Sequence, residues 1–259
     1  MSFDDIPLWL LFVATIAVVM LAIEAGHRAG RRSRLRSRDS EEEKEGAVSG
    51  MSGAILALTA FILAFTFSLV GDRYDTRKEL VREDAIALRT AWLRADILPT
   101  PARDRSRALL HEYLDLRVRF VQHRDLSPER VQAWHAREER LQREVWAIAM
   151  ANVPHDDIGS LYIESLGEVF RVDALRIAIS IQARVPGGVW VVLYVLTILG
   201  MVSIGYHTGI AGSKRSQATV VLALAFATVI IVIAMLDRPA DMPVSQQPLI
   251  DAGAFMGRH

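Results

Sequence analysis

The stretch Phe65–Pro99, FTFSLVGDRYDTRKELVREDAIALRTAWLRADILP, begins inside a long apolar run and turns highly charged within a few residues. No proline interrupts it before Pro99, and Gly71 is the only residue at the junction that weakens a helix. A single glycine costs a helix about 1 kcal/mol relative to alanine, too little to force a break. The reading is therefore a membrane helix that continues, straight or slightly kinked, into water.

Working outward, the chain has 259 residues, of which 51% are hydrophobic and 23% charged. That combination describes two materials joined together: bilayer-embedded segments and a water-exposed part. Four segments have the length and purity of membrane spans, at residues 6–25, 47–70, 189–206 and 218–236. The first has an acidic lead, MSFDD, unlike the basic start of a signal peptide, and is read as a span. Residues 27–46 read as a basic loop and 237–259 as a carboxyl tail.

The two short loops, 27–46 and 207–217, hold nine Lys and Arg; residues 1–5 hold none, and the carboxyl tail holds Arg238 and Arg258. The positive-inside rule places both loops in the cytoplasm, and the central domain and both termini outside. The net charge of zero gives no electrostatic footprint for nucleic acid. With no cysteine there are no disulfides or thiolate metal sites.

Residues 71–188 read as a water-exposed helical domain. Tyr74, Val81, Ala85, Leu88, Trp92 and Ala95 share one helix face, ended by Pro99–Pro101. Leu109, Tyr113, Leu116 and Phe120 line a second helix. A third starts at Ser127 and Pro128, with Val131, Trp134, Leu141, Val145 and Ile148 as its stripe. Asp156 or Asp157 caps a fourth, whose expected stripe is Ile163, Leu166, Phe170, Ala174, Ile177 and Ile181. The expected fold is an all-α membrane protein: four transmembrane helices, with a four-helix amphipathic domain between the second and third.

No nucleophile elbow, phosphate loop or paired metal-ligand motif is present, so no catalytic, cofactor or metal residues are assigned and the chain is read as a non-enzyme. His135 with Glu138 or Glu139, and His111 with Asp115, sit at helical spacing and read as surface ion pairs. Glu24, near the end of the first span, is the one acid close to a span's interior, which disfavours a proton-coupled transporter. In the second span Gly53, Ala57, Ala60, Ala64 and Ser68 form a stripe of small residues suited to close helix packing. Phe61 and Phe65 stack one turn apart, and Thr59, Thr66 and Ser68 are candidates for polar rings if this helix repeats around a pore.

RYDTRKELVREDAIALRTAWLRADILP, with LLHEYLDLRV and the late LDRPADMPVSQQPLI, resembles the bestrophin-like domain family of bacterial membrane proteins. Arg73, Tyr74, Arg77, Thr90, Arg94, Asp237, Arg238 and Pro239 stand at family positions, as does Asp84, where relatives usually carry Glu. Ile86 and Arg89 stand where Asn and Gly are usual. The resemblance implies a multi-pass protein of the bacterial inner membrane with structural roles for the signature residues. It also implies a remote similarity to bestrophins, which are oligomeric anion channels whose large domain is cytosolic, opposite to the side the charge count gives here. The expected function is a homo-oligomeric ion channel in the lipid bilayer passing inorganic ions; the alternative is a non-conducting scaffold or sensor with an extracytoplasmic helical bundle.

Overall fold

The computed structural model describes residues 6–36, 41–122, 127–179, 184–212, 218–238 and 241–257. Their regular structure is all helix, without a strand. In order, the helices are α1 (Leu8–Arg36), α2 (Glu41–Arg94), α3 (Ala102–Gln122), α4 (Pro128–Asn152), α5 (Asp157–Ile177), α6 (Gly187–Ile210), α7 (Ala218–Asp237) and α8 (Gln247–Met256). Among the described residues, four helical stretches are long and apolar enough to span a bilayer: Leu8–Leu35, Ser49–Ile97, Gly187–Ile210 and Thr219–Asp237. The protein is a multi-pass membrane protein.

α2 is one 54-residue helix, so the apolar run and the charged run are a single element and Gly71 does not break it. The segment 27–46 is largely helix and not loop. Residues 27–36 continue α1 and residues 41–46 open α2. Arg, Glu and Lys are strong helix formers, so charge leaves the bilayer here without ending the helix.

Two compact units divide the chain: Met1–Asp72 with Arg184–Asp241, and Arg73–Ala183 with Met242–His259. In the first, α1 and α6 run parallel at backbone contact. A Cβ on Gly26 would lie 2.0 Å from the Val202 carbonyl oxygen, and one on Gly30 2.2 Å from that of Tyr206. Reciprocally, Cβ atoms on Gly205 and Gly209 would lie 2.1 and 2.4 Å from the carbonyls of Ile23 and His27. Each helix thus offers a Gly-x-x-x-Gly pair to the other, the arrangement that lets backbones touch where lipid supplies no hydrophobic drive. Thr15 Oγ1 and Tyr194 Oη, 2.8 Å apart, fix the same register. Val19, Ala22, Ile23, Met201 and Ala223 form the core joining α1, α6 and α7.

The second unit packs the part of α2 from Arg73 onward with α3, α4, α5 and α8. Leu88, Ala91, Trp92, Leu109, Leu110, Leu114, Leu166 and Val169 are its core, joined by Leu249, Ala252 and Met256 of α8. The carboxyl segment read as a tail is therefore a fifth packed helix. α2 passes into a 3-10 turn, Ala95–Ile97, before Pro99. Ser127 stands at the N-cap of α4 without a side-chain capping bond, with Pro128 in the first turn. Asp156 caps α5, accepting from Gly159 N at 2.8 Å. Of the expected α5 stripe, Leu166 is buried, Ile163 and Phe170 pack against the core and Ile177 is half-buried, while Ile181 lies outside the described residues. Tyr162, Leu166, Val169, Val172 and Asp173 are buried, whereas Ala174 is exposed. Asp173 also faces inward, where it meets Arg117.

Candidate functional site

In its membrane half α2 presents two distinct faces. One is covered by its own unit: Ser52, Thr59, Leu63, Thr66 and Val70 are buried. Ser52 Oγ meets Ser203 Oγ of α6 at 2.5 Å. Thr59 Oγ1 donates to the Ile55 carbonyl at 2.7 Å and approaches the Leu196 carbonyl at 3.3 Å. Thr66 Oγ1 donates to the Ile62 carbonyl at 2.7 Å. The Thr59 and Thr66 hydroxyls are thus satisfied within the chain, on the covered face of α2.

The other face is uncovered. Gly53, Ala57, Ala60, Ala64 and Ser68 are all exposed, and a Cβ on Gly53 would meet open space. Phe61 and Phe65 lie on this side at 65% and 62% exposure. The small-residue stripe therefore packs against no other helix of the chain among the described residues.

The signature residues occupy three settings. At the end of α7, Asp237 Oδ1 accepts from Val185 N at 2.9 Å, and the Asp237 carbonyl accepts from Arg184 Nη1 at 3.0 Å. Arg238 Nη1 donates to the Ile6 carbonyl at 2.7 Å and lies 3.6 Å from Asp241. This pair ties the start of α1, the entry to α6 and the exit of α7 together. Pro239 lies outside the described residues. On α2, the Arg77 guanidinium is buried and lies 5.7 Å from the centre of the Tyr74 ring; Arg73, Tyr74 and Thr90 are half-buried. Arg94 donates to the Leu161 carbonyl of α5 at 2.9 Å, a tie from helix to backbone. Arg89 lies over the Phe255 ring at 3.8 Å, while Ile86 is exposed.

The third setting is a charge cluster inside the helical unit. The Asp84 carboxylate, wholly buried, accepts from Arg117 of α3 through one oxygen and from Arg176 of α5 through the other. Arg117 also meets Asp173 at 2.5 Å and Glu138 of α4 at 3.1 Å. Its Nη2 donates to Tyr113 Oη at 2.5 Å. Gln142 donates to Tyr113 Oη at 2.7 Å and to Asp173 Oδ2 at 2.9 Å. Burial alone would lower the Arg117 pKa, but Asp84, Tyr113, Asp173 and Glu138 outweigh it and hold the guanidinium firmly charged. Burial pushes the Tyr113 hydroxyl up. Burial likewise raises the Glu138 carboxyl above its ordinary value, against the opposing pull of Arg117. Glu138, read from spacing as a surface partner of His135, is instead a half-buried member of this cluster, with His135 Nδ1 3.6 Å away.

Among the described residues no three His, Asp or Glu side chains converge to hold a metal. A cleft of 660 Å³ between α3 and α4 is lined by Glu112, Asp115, Arg119, Trp134, Arg137 and their neighbours. Arg137 and Glu112 pair at 2.6 Å, and Arg119 lies 3.7 Å from Asp115. Sequence reasoning missed two features with legible signals: the paired Gly-x-x-x-Gly motifs of α1 and α6, and the charges that interrupt the apolar faces of α3, α4 and α5.

The bestrophin-like domain model matches residues 10–243. The chain is similar to a solved crystal structure of a membrane protein, with 17% identity and a TM-score of 0.54 over 96% of this chain and 94% of that one, which supports the shared fold. No curated protein matches. Spans, signature residues and matched length agree, and the chain belongs to the bestrophin-like domain family.

Proposed function

We propose that this membrane protein assembles with copies of itself through the uncovered face of α2 and conducts small inorganic ions, anions by analogy with bestrophins. The observation that carries the reading is that Gly53, Ala57, Ala60, Ala64 and Ser68 stay exposed while the opposite face of the same helix is packed. Four spans enclose too little space for an aqueous path, so conduction requires several copies. Small residues permit close approach between them. Phe61 and Phe65 on the same side provide an apolar constriction of the kind that gates by dewetting. The short basic loops are assigned to the cytoplasm of the bacterial inner membrane, and the helical unit and both termini to the outside. No catalytic role is assigned.

Purified protein in liposomes, assayed for chloride and for potassium flux, tests the reading. Flux that Ala60→Leu reduces supports it. Absence of flux for both ions across pH and voltage favours a non-conducting scaffold.

A further inference from the structure

The charge cluster of the helical unit does not balance. Asp84, Glu138 and Asp173 face Arg117 and Arg176, which leaves one negative charge in excess. An uncompensated buried charge is costly, and the cheapest remedy is a proton. Geometry indicates where it goes. Asp84 accepts from two guanidiniums, and Asp173 accepts from Arg117 and Gln142. Glu138 has Arg117 Nε alone on one oxygen, with His135 at 3.6 Å from the other. It also sits at the outer margin, 16% exposed beside the 33% exposed His135, so a proton can reach it from solvent.

We propose that the cluster is a proton-binding site, with the proton resident on Glu138, and that this proton controls how firmly α4 is held to the rest of the helical unit. The groups facing Glu138 are Arg117 and Tyr113 from α3, Asp173 and Arg176 from α5, and His135 on α4 itself. α4 joins the cluster through two side chains, Glu138 and Gln142. When Glu138 loses its proton, three carboxylates share two guanidiniums, and the one nearest water is the one expelled. The raised carboxyl pKa agrees in direction. The stability this group contributes is full below the unfolded glutamate value of about 4.3 and is lost as pH rises through the higher folded value. The inference does not depend on whether the protein conducts ions.

The test is amide hydrogen exchange of α4 in the full-length protein in detergent, from about pH 4, near the unfolded glutamate value, up to about pH 9, corrected for intrinsic exchange, for wild type and Glu138→Gln. In wild type the opening equilibrium of α4 should rise with pH, by up to about tenfold per unit (the limit for one proton), from the unfolded glutamate value to the folded one, and level off above it. Glu138→Gln imitates the protonated side chain, so it should fold, remove that rise and protect α4 at least as well as wild type at pH 8. Three results overturn the proposal: wild-type α4 exchange that does not change with pH, a Gln variant that keeps the wild-type pH dependence, or a Gln variant that fails to fold.

Discussion

Asp84 and Arg117 face each other with 0% and 4% of their side chains exposed, and Arg176 closes the other side of the same carboxylate. Three helices therefore depend on one short acid. Removing it leaves two guanidiniums without their shared partner. Asp84→Ala should destabilise the protein by about 3–5 kcal/mol, the range for breaking a buried pair from one side. Denaturant unfolding in detergent, followed by circular dichroism, measures it. Asp84→Glu restores the residue usual in relatives yet should still cost about 1–3 kcal/mol, because the extra methylene enters a site already closed. An unchanged unfolding midpoint for the Glu variant would mean that the surrounding helices relax freely.

Arg94→Ala should have a smaller effect, about 1 kcal/mol, since Arg94 gives one hydrogen bond to a backbone carbonyl near the surface. A loss above about 3 kcal/mol in the same assay would show that Arg94 has a buried carboxylate partner instead.

Gly205→Ala places a Cβ 2.1 Å from the Ile23 carbonyl oxygen and 2.9 Å from His27 N, both backbone atoms that cannot step aside. α1 and α6 must separate, and the thermal midpoint should fall, with a cost of about 1–3 kcal/mol. Gly53→Ala meets open space and should leave the midpoint unchanged or raise it, because alanine is the better helix former. Equal effects from the two substitutions would contradict the packing described for α1 and α6.

Much of this was legible in the sequence because bilayer thickness and helix periodicity write directly into residue order. The four spans, the uninterrupted passage through Gly71 and the Asp156 cap all follow from local rules. What was not legible depended on partners far along the chain. Asp84 reads as one acid among many until Arg117 and Arg176, 33 and 92 residues away, close around it. The inward placing of Asp173 on α5, where it meets Arg117, is encoded by no hydrophobic stripe. α8 is a 10-residue helix whose packing against α3 has no local signal beyond Leu249, Ala252 and Met256. The outward set of Gly53, Ala57, Ala60, Ala64 and Ser68 was visible as a stripe, but spacing alone could not assign it to the inside or the outside of the protomer.

The assigned orientation makes a separate prediction. A reporter active only outside the cytoplasm, inserted after Pro154, should give signal, and one active only inside should not. The reverse pattern would place the helical unit in the cytosol, as in bestrophins.

Cysteine cross-linking on α2 tests the central claim most directly, and the chain contains no cysteine of its own to confuse it. Single variants Ala57→Cys, Ala60→Cys and Ala64→Cys should form disulfide-linked dimers on mild oxidation in native membranes. Leu63→Cys, on the buried side, and Val221→Cys, exposed on α7, should not. Absence of cross-links at all three α2 positions, or equal yield at Val221→Cys, would contradict self-association through this face.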